Sequence, residues 1–332
     1  MNEILLSHGG GGDEMWELIK SVFLKHFSNP TLKKMEDAAI IEVQSRIAFT
    51  TDAFTVSPLF FKGGDIGKLS IAGTANDLAV MGARPCYVTV AFIIEEGLKV
   101  NELVRIVKSM ASEAKKSGIK VVAGDTKVVP RGHADKIFIS TSGIGEVVWG
   151  GLSASNLKEN DVIIVSGSMG DHGSCIMAER EGIGLDVDLE SDVTGVWSLV
   201  EVALESGVRV HAMRDPTRGG LSSVLNEWAM ASGVVIEIEE EKIPLKDAVR
   251  GLCEILGLEV FHMASEGRVV FALPENQVDH ILESLKNHPE GKGACKIGKV
   301  VKGDGGMVIL RSSWGSTRVM EPPQGELLPR IC

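Results

Sequence analysis

Residues 63–85 of the sequence read GGDIGKLSIAGTANDLAVMGARP, and this stretch decides how the first half of the chain folds. The pattern at 70–81 predicts a helix, and the glycine and proline just beyond it predict where the helix ends. Within this helix the polar pair Asn76-Asp77 lies among apolar neighbours. A carboxylate on such a helix needs a hydrogen-bonding partner or a metal ion. The stretch therefore predicts a buried helix that carries a functional acidic group.

Strand patterns and amphipathic helices alternate through the rest of the chain. We predict strands at 40–43, 47–51, 120–123, 136–144, 162–165, 234–239, 269–273 and 307–310, and helices at 100–116, 196–205, 220–231, 246–256 and 278–285. This interleaving indicates an α/β and α+β protein of two domains, and 332 residues are enough for two cores. A polar, glycine-containing stretch around 149–160 marks the boundary. We therefore expect an arm and helix at 1–36, domains at 37–152 and 153–312, and a tail at 313–332.

Composition and charge limit the class of protein. The net charge of −11 argues against nucleic acid or an anionic membrane as the main partner. No apolar run approaches the roughly 18 residues of a membrane span. The five cysteines, at 86, 175, 253, 295 and 332, include no Cys-x-x-Cys pair. This spacing excludes the common zinc motifs and favours a reducing compartment, so we expect a cytoplasmic protein.

The end of the sequence, Pro329-Arg330-Ile331-Cys332, is unusual. The cysteine is the last residue, so we expect its thiol to lie beside a free carboxylate. The stretch at 314–328 shows neither helical nor strand periodicity and contains two adjacent prolines, which predicts a flexible tail. Fully stretched, the tail would span on the order of 60 Å. Two interpretations remain open from these residues alone: a frayed end, or a mobile reactive group whose thiolate Arg330 favours.

Acidic residues recur beside glycines or at predicted strand ends: Asp37, Asp52, Asp65, Asp77, Asp125, Asp171 and Asp215. Each alone is typical of a turn or a helix cap. Together they favour a phosphate site with magnesium, which commonly bridges carboxylates and nucleotide phosphates. The glycine run at 9–12 is either a mobile arm or a lid over that site. The common nucleotide motifs are absent: residues 293–299 approach a P-loop, but valine follows where serine or threonine should be.

Several motifs follow one another along nearly the whole chain: Thr50-Thr51-Asp52, the segments 58–67 and 73–85, Gly124 to Val129, Gly170-Asp171-His172-Gly173, Asp215 to Leu221 and the terminal Pro-Arg-Ile-Cys. Together they closely resemble the HypE family of hydrogenase maturation proteins. The family belongs to the aminoimidazole ribonucleotide synthetase-like superfamily, which also contains selenophosphate synthetases. Those carry a reactive Cys or selenocysteine near the N-terminus, and this chain has no cysteine before Cys86.

The resemblance implies an ATP-binding fold in which the N-terminal α/β domain also dimerises, and a carbamoyl dehydratase activity. A HypF-type carbamoyltransferase would load a carbamoyl group onto Cys332, and ATP with Mg²⁺ would drive its dehydration to a thiocyanate. The cyano group would then pass to iron on a HypC–HypD scaffold, as a ligand for a [NiFe]-hydrogenase. We expect a homodimer with no nucleic-acid or membrane partner.

The implied reaction assigns roles to residues, because phosphoryl transfer needs a metal and positive charge. Asp52, Asp77 and Asp215 are the expected metal ligands, with Asp37 and Asp125 next. Gly63, Gly64, Asp65, Asn76, Asp125, Thr126 and Arg218 are the expected nucleotide-binding residues. Cys332 carries the substrate, Glu266 is the first choice for the base that removes the nitrogen proton, and His172 is a further candidate for it. Lys127 is expected to hold the γ-phosphate.

Two other interpretations stay open at this stage. One is an ATP-dependent synthetase of the same superfamily that acts on a diffusible amide. The other is a non-catalytic carrier whose tail cysteine only delivers a metal or a redox equivalent. For Glu266 the alternative is a surface carboxylate paired with Arg268.

Overall fold

The computed structural model describes residues 3–5, 17–30, 33, 46–183, 189–303, 305–323 and 330–332. Asp37, the predicted strand at 40–43 and the glycine run lie outside the described residues. A helix with a π-helical turn, α1, covers residues 17–26.

The N-terminal domain is a four-stranded sheet covered on one face by two helices. Its elements are β1 (Ile47–Phe54), α2 (Ile66–Val80), β2 (Ala83–Glu95), α3 (Val100–Lys116), β3 (Lys120–Val129) and β4 (Ile137–Val147). The strand order is β1-β4-β2-β3, and only the β2–β3 pair is parallel. A two-residue hairpin (Phe60–Phe61 with Gly64–Asp65) precedes α2.

The central helix α2 begins four residues before the predicted start, because Asp65 caps it. The Asp65 carboxylate accepts hydrogen bonds from the backbone N–H groups of Gly67 (2.8 Å) and Lys68 (3.0 Å). Nearly every residue of α2 is buried, because the helix packs against the sheet, against α3 and against the second domain. A Cβ atom at Gly67 would overlap the carbonyl oxygen of Ile106 on α3. The predicted buried helix with an internal acidic group is therefore confirmed.

The C-terminal domain is built on a seven-stranded sheet with helices packed against it. Its elements are β5 (Asp161–Val165), α4 (Asp171–Glu181), α5 (Trp197–Glu205), β6 (Ala212–Arg214), α6 (Gly220–Ser232), β7 (Val235–Glu239), α7 (Asp247–Leu256), β8 (Val270–Pro274), α8 (Val278–Lys286), β9 (Cys295–Val301), β10 (Met307–Arg311) and β11 (Thr317–Val319). The strand order is β11-β10-β7-β9-β5-β8-β6. The alternation of strands and helices in two domains confirms the predicted fold class.

Several details differ from the sequence prediction. The sheet continues past residue 312, because β11 pairs with β10 and Met320 enters the core, so the regular structure ends later than the predicted start of the tail. Strand β3 runs through residues 124–127, which were expected to lie at a strand end. Strands β2 and β6 and helix α4 had not been predicted. Among the described residues, no helix combines the length and apolarity needed to cross a membrane.

Candidate active site

A cavity of about 330 Å³ lies where the two domains meet. Its walls are Thr51, Asp52, Ala53, Phe54, Gly73, Asp77, Ser140, Asp215, Thr217, Arg218, Glu266 and Cys332. The cavity therefore brings together strand β1, helix α2, two loops of the C-terminal domain and the end of the tail. Three of the predicted metal ligands and the predicted base meet here with the predicted substrate-carrying cysteine.

The aspartates of the N-terminal domain are held by threonines. Thr50 Oγ1 donates to Asp77 Oδ2 over 2.7 Å, and Thr74 Oγ1 donates to Asp52 Oδ2 over 2.8 Å. Burial, and then the neighbouring Asp77, raise the pKa of Asp52 to about 6. Burial raises the pKa of Asp77 as well. The site therefore holds these carboxylates close together at an electrostatic cost.

Asp215 enters from the loop before α6. Its pKa is raised to about 7, first by burial and then by Asp77. The loop is fixed because Ser265 N–H donates to the Pro216 carbonyl (2.9 Å). It also packs closely, since a Cβ at Gly220 would lie 2.6 Å from the carbonyl oxygen of Met263. The Asp215 loop and the loop that carries Glu266 are thus one rigid assembly.

Glu266 is held by its main chain, which leaves its side chain available. Its N–H donates to Asp192 Oδ1 (3.0 Å), and Asn76 Nδ2 donates to its carbonyl oxygen (3.0 Å). Within the described part of the chain, Glu266 Oε1 is buried with no hydrogen-bond partner. Burial, and then Asp215, raise the pKa of Glu266 well above its usual range. The carboxyl group in the cavity wall therefore binds a proton more tightly than a solvent-exposed glutamate does.

The acidic cavity suits a magnesium ion that arrives with phosphates. Its donors are carboxylate oxygens, the type that Mg²⁺ prefers, and Arg218 is the cation in its wall. No three His, Cys, Asp or Glu side chains among the described residues are close enough to form a complete metal site. Mg²⁺ commonly binds one or two carboxylates and completes its shell with water and phosphate oxygens. The residues present therefore fit a metal shared with a nucleotide.

The end of the tail is docked into this cavity. Cys332 lines the cavity wall, and Ile331 is buried in the apolar core, 2% exposed. Thr55 donates to the main-chain oxygen of Cys332 through its N–H (3.0 Å) and its hydroxyl (3.3 Å). The expectation of a frayed end is therefore wrong for residues 330–332, which make specific contacts. Thr55 was not identified from the sequence, because one threonine after a strand carries no signal.

His172 does not have the role of a free base that the sequence suggested. It is fully buried, and both ring nitrogens are engaged, with Ser191 Oγ at 2.7 Å and the Ile331 carbonyl oxygen at 2.8 Å. A carbonyl only accepts, so Nε2 carries the proton and Nδ1 accepts from the Ser191 hydroxyl. Burial lowers the pKa of His172 to about 4, which keeps the ring neutral. His172 anchors the tail.

Two predicted nucleotide-binding side chains are already saturated by the fold. Asn76 is buried and joins three backbone groups: it donates to the carbonyls of Thr194 and Glu266, and its Oδ1 accepts from Val196 N–H. Asp65 caps α2, as described above. Neither lines the acidic cavity, so Asn76 positions Glu266 and Asp65 orients α2.

The remaining predicted residues lie elsewhere in the subunit. Gly63 and Gly64 pack against the segment 191–193, where a Cβ at Gly63 would lie 2.6 Å from the Ser191 carbonyl oxygen. Asp125 and Thr126 line a separate, mostly apolar cavity beneath α1. Lys127 is exposed on β3 and does not line the acidic cavity. Their roles toward a nucleotide stay predictions.

The docked thiol is chemically protected. Burial, and then the carboxyl of Glu266, raise the pKa of Cys332 to about 12. Since the thiolate is the nucleophile, docking should suppress alkylation of Cys332. We expect Arg330→Ala, which removes the tail's ion pair with Asp135 (2.7 Å), to speed iodoacetamide labelling of Cys332 at least tenfold, while half-buried Cys86 in the same digest keeps its rate. Equal labelling of Cys332 in both proteins would contradict the docked state.

Comparison with known proteins was made on sequence and on structure. The AIR synthase related protein N-terminal domain model matches residues 35–147, and the corresponding C-terminal domain model matches residues 158–311. The chain is similar to the carbamoyl dehydratase HypE of Escherichia coli (strain K12), at 46% identity over 342 aligned residues and 100% of both chains.

Two solved structures are similar over most of their length. One is a crystal structure of the hydrogenase maturation protein HypE in complex with ATP, with a TM-score of 0.95, 42% identity and 99% of each chain covered. The other is HypE in a HypE–HypF complex, with a TM-score of 0.81 and 45% identity, covering 92% of this chain and 99% of that one.

Proposed function

This chain belongs to the carbamoyl dehydratase HypE family of AIR synthase related proteins, and from that premise we propose that it dehydrates an S-carbamoyl group on its own Cys332 at the expense of ATP. The product is a thiocyanate, which supplies cyanide ligands for [NiFe]-hydrogenase maturation. The observation that carries the proposal is the position of Cys332 in one cavity wall with Glu266, Asp52, Asp77 and Asp215.

The reaction balances as a phosphoryl transfer followed by an elimination. The thiocarboxamide oxygen takes the γ-phosphoryl group of ATP, which turns a poor leaving group into phosphate. The nitrogen gives up two protons, one to a base of this chain and one that leaves with the phosphate, as the C–O bond breaks and leaves S–C≡N, ADP and phosphate. The net change on the tail is the loss of one water. This chain must therefore supply a proton acceptor beside the tail and charge stabilisation beside the phosphates.

Glu266 is the proposed proton acceptor. Its carboxyl is in the cavity wall, its Oε1 has no hydrogen-bond partner among the described residues, and its pKa is raised by burial. The backbone contacts with Asp192 and Asn76 fix the loop, so the carboxylate meets the docked tail in a constant geometry. Arg218, opposite in charge to a phosphate, is placed to bind the nucleotide or the leaving phosphate.

We propose that Mg²⁺ takes one or two of its ligands from the carboxylates of Asp52, Asp77 and Asp215, and the others from water and phosphate oxygens. The ion, when bound, neutralises charge on the phosphate oxygens. Burial, and then repulsion by Asp77, raise the pKa of Asp52 and Asp215. A divalent cation would oppose both effects, since a nearby positive charge favours the ionised carboxylates. The two threonine hydrogen bonds and the loop contacts described above set the directions in which these carboxylate oxygens face the ion.

The partners follow from the same proposal. A HypF-type carbamoyltransferase loads Cys332 while the tail is undocked, because the docked thiol is half-buried in the cavity wall and protonated. A HypC–HypD scaffold that carries iron receives the cyano group. A thiol that visits three sites needs a tail that binds and releases.

The exposed face of the N-terminal sheet supports a homodimer. Phe49, Ile144 and Tyr87 stand side by side on adjacent strands, and Phe49 is 67% exposed. Apolar side chains grouped on a sheet face mark an interaction surface. We expect light scattering to give a dimer at micromolar concentration and Phe49→Asp to give monomers. Met230→Asp, which changes an equally exposed residue on α6, should stay dimeric. A monomeric wild type would contradict the proposal.

Measuring ATP hydrolysis separates the proposal from its two alternatives. A carbamoyl dehydratase hydrolyses ATP only when Cys332 has been carbamoylated by the loading enzyme. A synthetase acting on a diffusible amide would keep turnover in Cys332→Ala, and a non-catalytic carrier would show none in either protein. The docked tail argues against a diffusible substrate, because Cys332 occupies the place beside Glu266 that such a substrate would need.

A further inference from the structure

The last three described residues are held by main-chain contacts as a bound peptide is held. Ser57 N–H donates to the Arg330 carbonyl (3.3 Å), and Thr55 N–H donates to the Cys332 main-chain oxygen (3.0 Å). Residue numbers rise along one segment and fall along the other, so the pairing is antiparallel. Arg330 Nε returns a hydrogen bond to the Thr55 carbonyl (2.8 Å). Strand-like pairing of this kind is a general mode of peptide recognition.

Helix α4 supplies the remaining donors. His172 Nε2 donates to the Ile331 carbonyl (2.8 Å), and Arg180 Nη2 donates to the Arg330 carbonyl (2.9 Å). Each of the three main-chain oxygens of the segment thus accepts at least one hydrogen bond from the body of the protein. Ser191 Oγ contacts the other ring nitrogen of His172 (2.7 Å), so the body of the protein also orients this donor.

The side chains of the segment are also recognised individually. Ile331 joins the apolar core cluster that includes Val56 and Ile176. Arg330 forms an ion pair with Asp135 (Nη1 to Oδ2, 2.7 Å) and its guanidinium lies over the Phe138 ring, 5.7 Å from the centroid. The site therefore selects a basic residue, then an aliphatic residue, then a cysteine whose thiol enters the catalytic cavity.

The site also imposes a backbone conformation. Arg330 has φ 53°, in the left-handed region that residues with a side chain seldom occupy. Such a conformation persists only where surrounding contacts determine it. The six hydrogen bonds and the ion pair of Arg330, Ile331 and Cys332 are those contacts.

We propose that the groove between residues 55–57 and α4 is a binding site for the peptide segment Arg-Ile-Cys, and that it accepts this segment from a separate chain as well as from its own. All the contacts named above are made by the three residues themselves. Attachment of the segment to its own chain adds only an effective concentration of the segment at the groove, which is in the millimolar range for short flexible linkers. His172 and Arg180 are positioning residues in this scheme. The inference rests on the proposed function, because the docked segment is its substrate.

Mixing two inactive full-length variants tests the exchange. Cys332→Ala keeps the cavity but has no thiol, and Asp215→Asn keeps the tail but has a damaged cavity. After loading with the carbamoyltransferase and addition of ATP, we expect a thiocyanate on the Asp215→Asn tail, at a rate that rises with the concentration of the Cys332→Ala chain. No thiocyanate in the mixture, while wild type run in parallel makes it, would overturn the inference. No thiocyanate from wild type would refute the proposed function instead.

A binding measurement decides the inference without any catalysis. The host is full-length Ile331→Asp, whose own tail cannot enter the core, and the probe is a fluorescein-labelled Leu-Pro-Arg-Ile-Cys peptide. We expect saturable binding that weakens at least tenfold when the peptide isoleucine is replaced by aspartate. Adding His172→Leu to the host should weaken binding at least tenfold, and His172→Gln, whose amide still donates, should restore part of it. Absence of saturation up to about 1 mM, or equal binding of both peptides, would overturn the proposal.

Discussion

Asp77→Asn and Asp215→Asn are each expected to lower ATP-dependent dehydration at least about 100-fold, because each removes a charge that organises the metal and the phosphates. The substitutions keep size and shape, so folding should be retained. Both carboxylates line the cavity, from opposite domains, and neither has another structural task comparable to the helix cap made by Asp65. Rates are measured as thiocyanate formed on the tail at saturating ATP.

Asp279→Asn is the matched control for this loss. Asp279 is exposed on α8 and lies outside the cavity wall, so the same isosteric change there should leave the rate unchanged. Calorimetry should show weakened Mg-ATP binding for Asp77→Asn and Asp215→Asn. Unchanged Mg-ATP affinity and turnover in both would refute the assignment of these aspartates to the metal.

Asp215→Asn should stabilise the protein when no metal or nucleotide is bound. The pKa of Asp215 is raised to about 7 in the folded chain and is about 4 in an unfolded one, so the folded state binds the proton more tightly. Wild-type stability therefore falls as pH rises from about 4 through about 7. We expect Asp215→Asn to raise Tm at pH 8 by a few degrees, and this advantage to shrink at pH 4. A lower Tm at pH 8 would contradict the electrostatic cost of the cavity.

The second large effect concerns the tail. Cys332→Ala should bind ATP, because the nucleotide site lies in the body of the protein, and it should form no thiocyanate at all. Adding one alanine after Cys332 should also impair turnover, because the thiol and its main-chain oxygen are fixed by Thr55 and the cavity wall. Displacement of a reacting group by about 1 Å can cost on the order of 100-fold in rate.

Cys86→Ala is the control for the tail variants, since Cys86 lies on β2 and outside the cavity wall. It should dehydrate its tail at the wild-type rate. If the tail with the added alanine dehydrates as fast as wild type, the account is contradicted, because the cavity then does not fix the position of the thiol.

Much of the fold was predictable because the pattern that forms each element is local. Helix α3 was predicted with both its ends, because its apolar stripe and its flanking residues agree. Strand β2 was missed because a proline and a cysteine interrupt its start, where the structure has a bulge between Pro85 and Tyr87. Helix α4 was missed because its first turn, Asp171-His172-Gly173, resembles a loop, and the fold buries that turn under the tail.

The acidic cavity was predictable only as a set of candidates. Asp52, Asp77, Asp215, Glu266 and Cys332 were all named from the sequence, and the fold brings them together. Asn76 and His172 were also named, but burial converts both into positioning residues whose polar atoms are already paired. Such a conversion depends on which distant segment arrives beside them, and periodicity contains no information about that.

The recognition of the tail was not predictable. Thr55 and Arg180 contact residues more than a hundred positions away in the sequence. Nothing in their local sequence distinguishes them from a strand-end threonine or a surface arginine. The last residues of the tail were correctly singled out for their chemistry, but the groove that binds them exists only in the folded chain.

The central claim is that Cys332 itself carries the group that is dehydrated, and mass spectrometry of the C-terminal peptide tests it most directly. The protein is incubated with the loading enzyme and a carbamoyl donor, with or without ATP, and then digested. The account predicts a carbamoyl adduct on Cys332 that loses the mass of one water only when ATP is present. A carbamoyl adduct that stays intact with ATP, or a dehydrated adduct on Cys86, Cys175, Cys253 or Cys295, would contradict it.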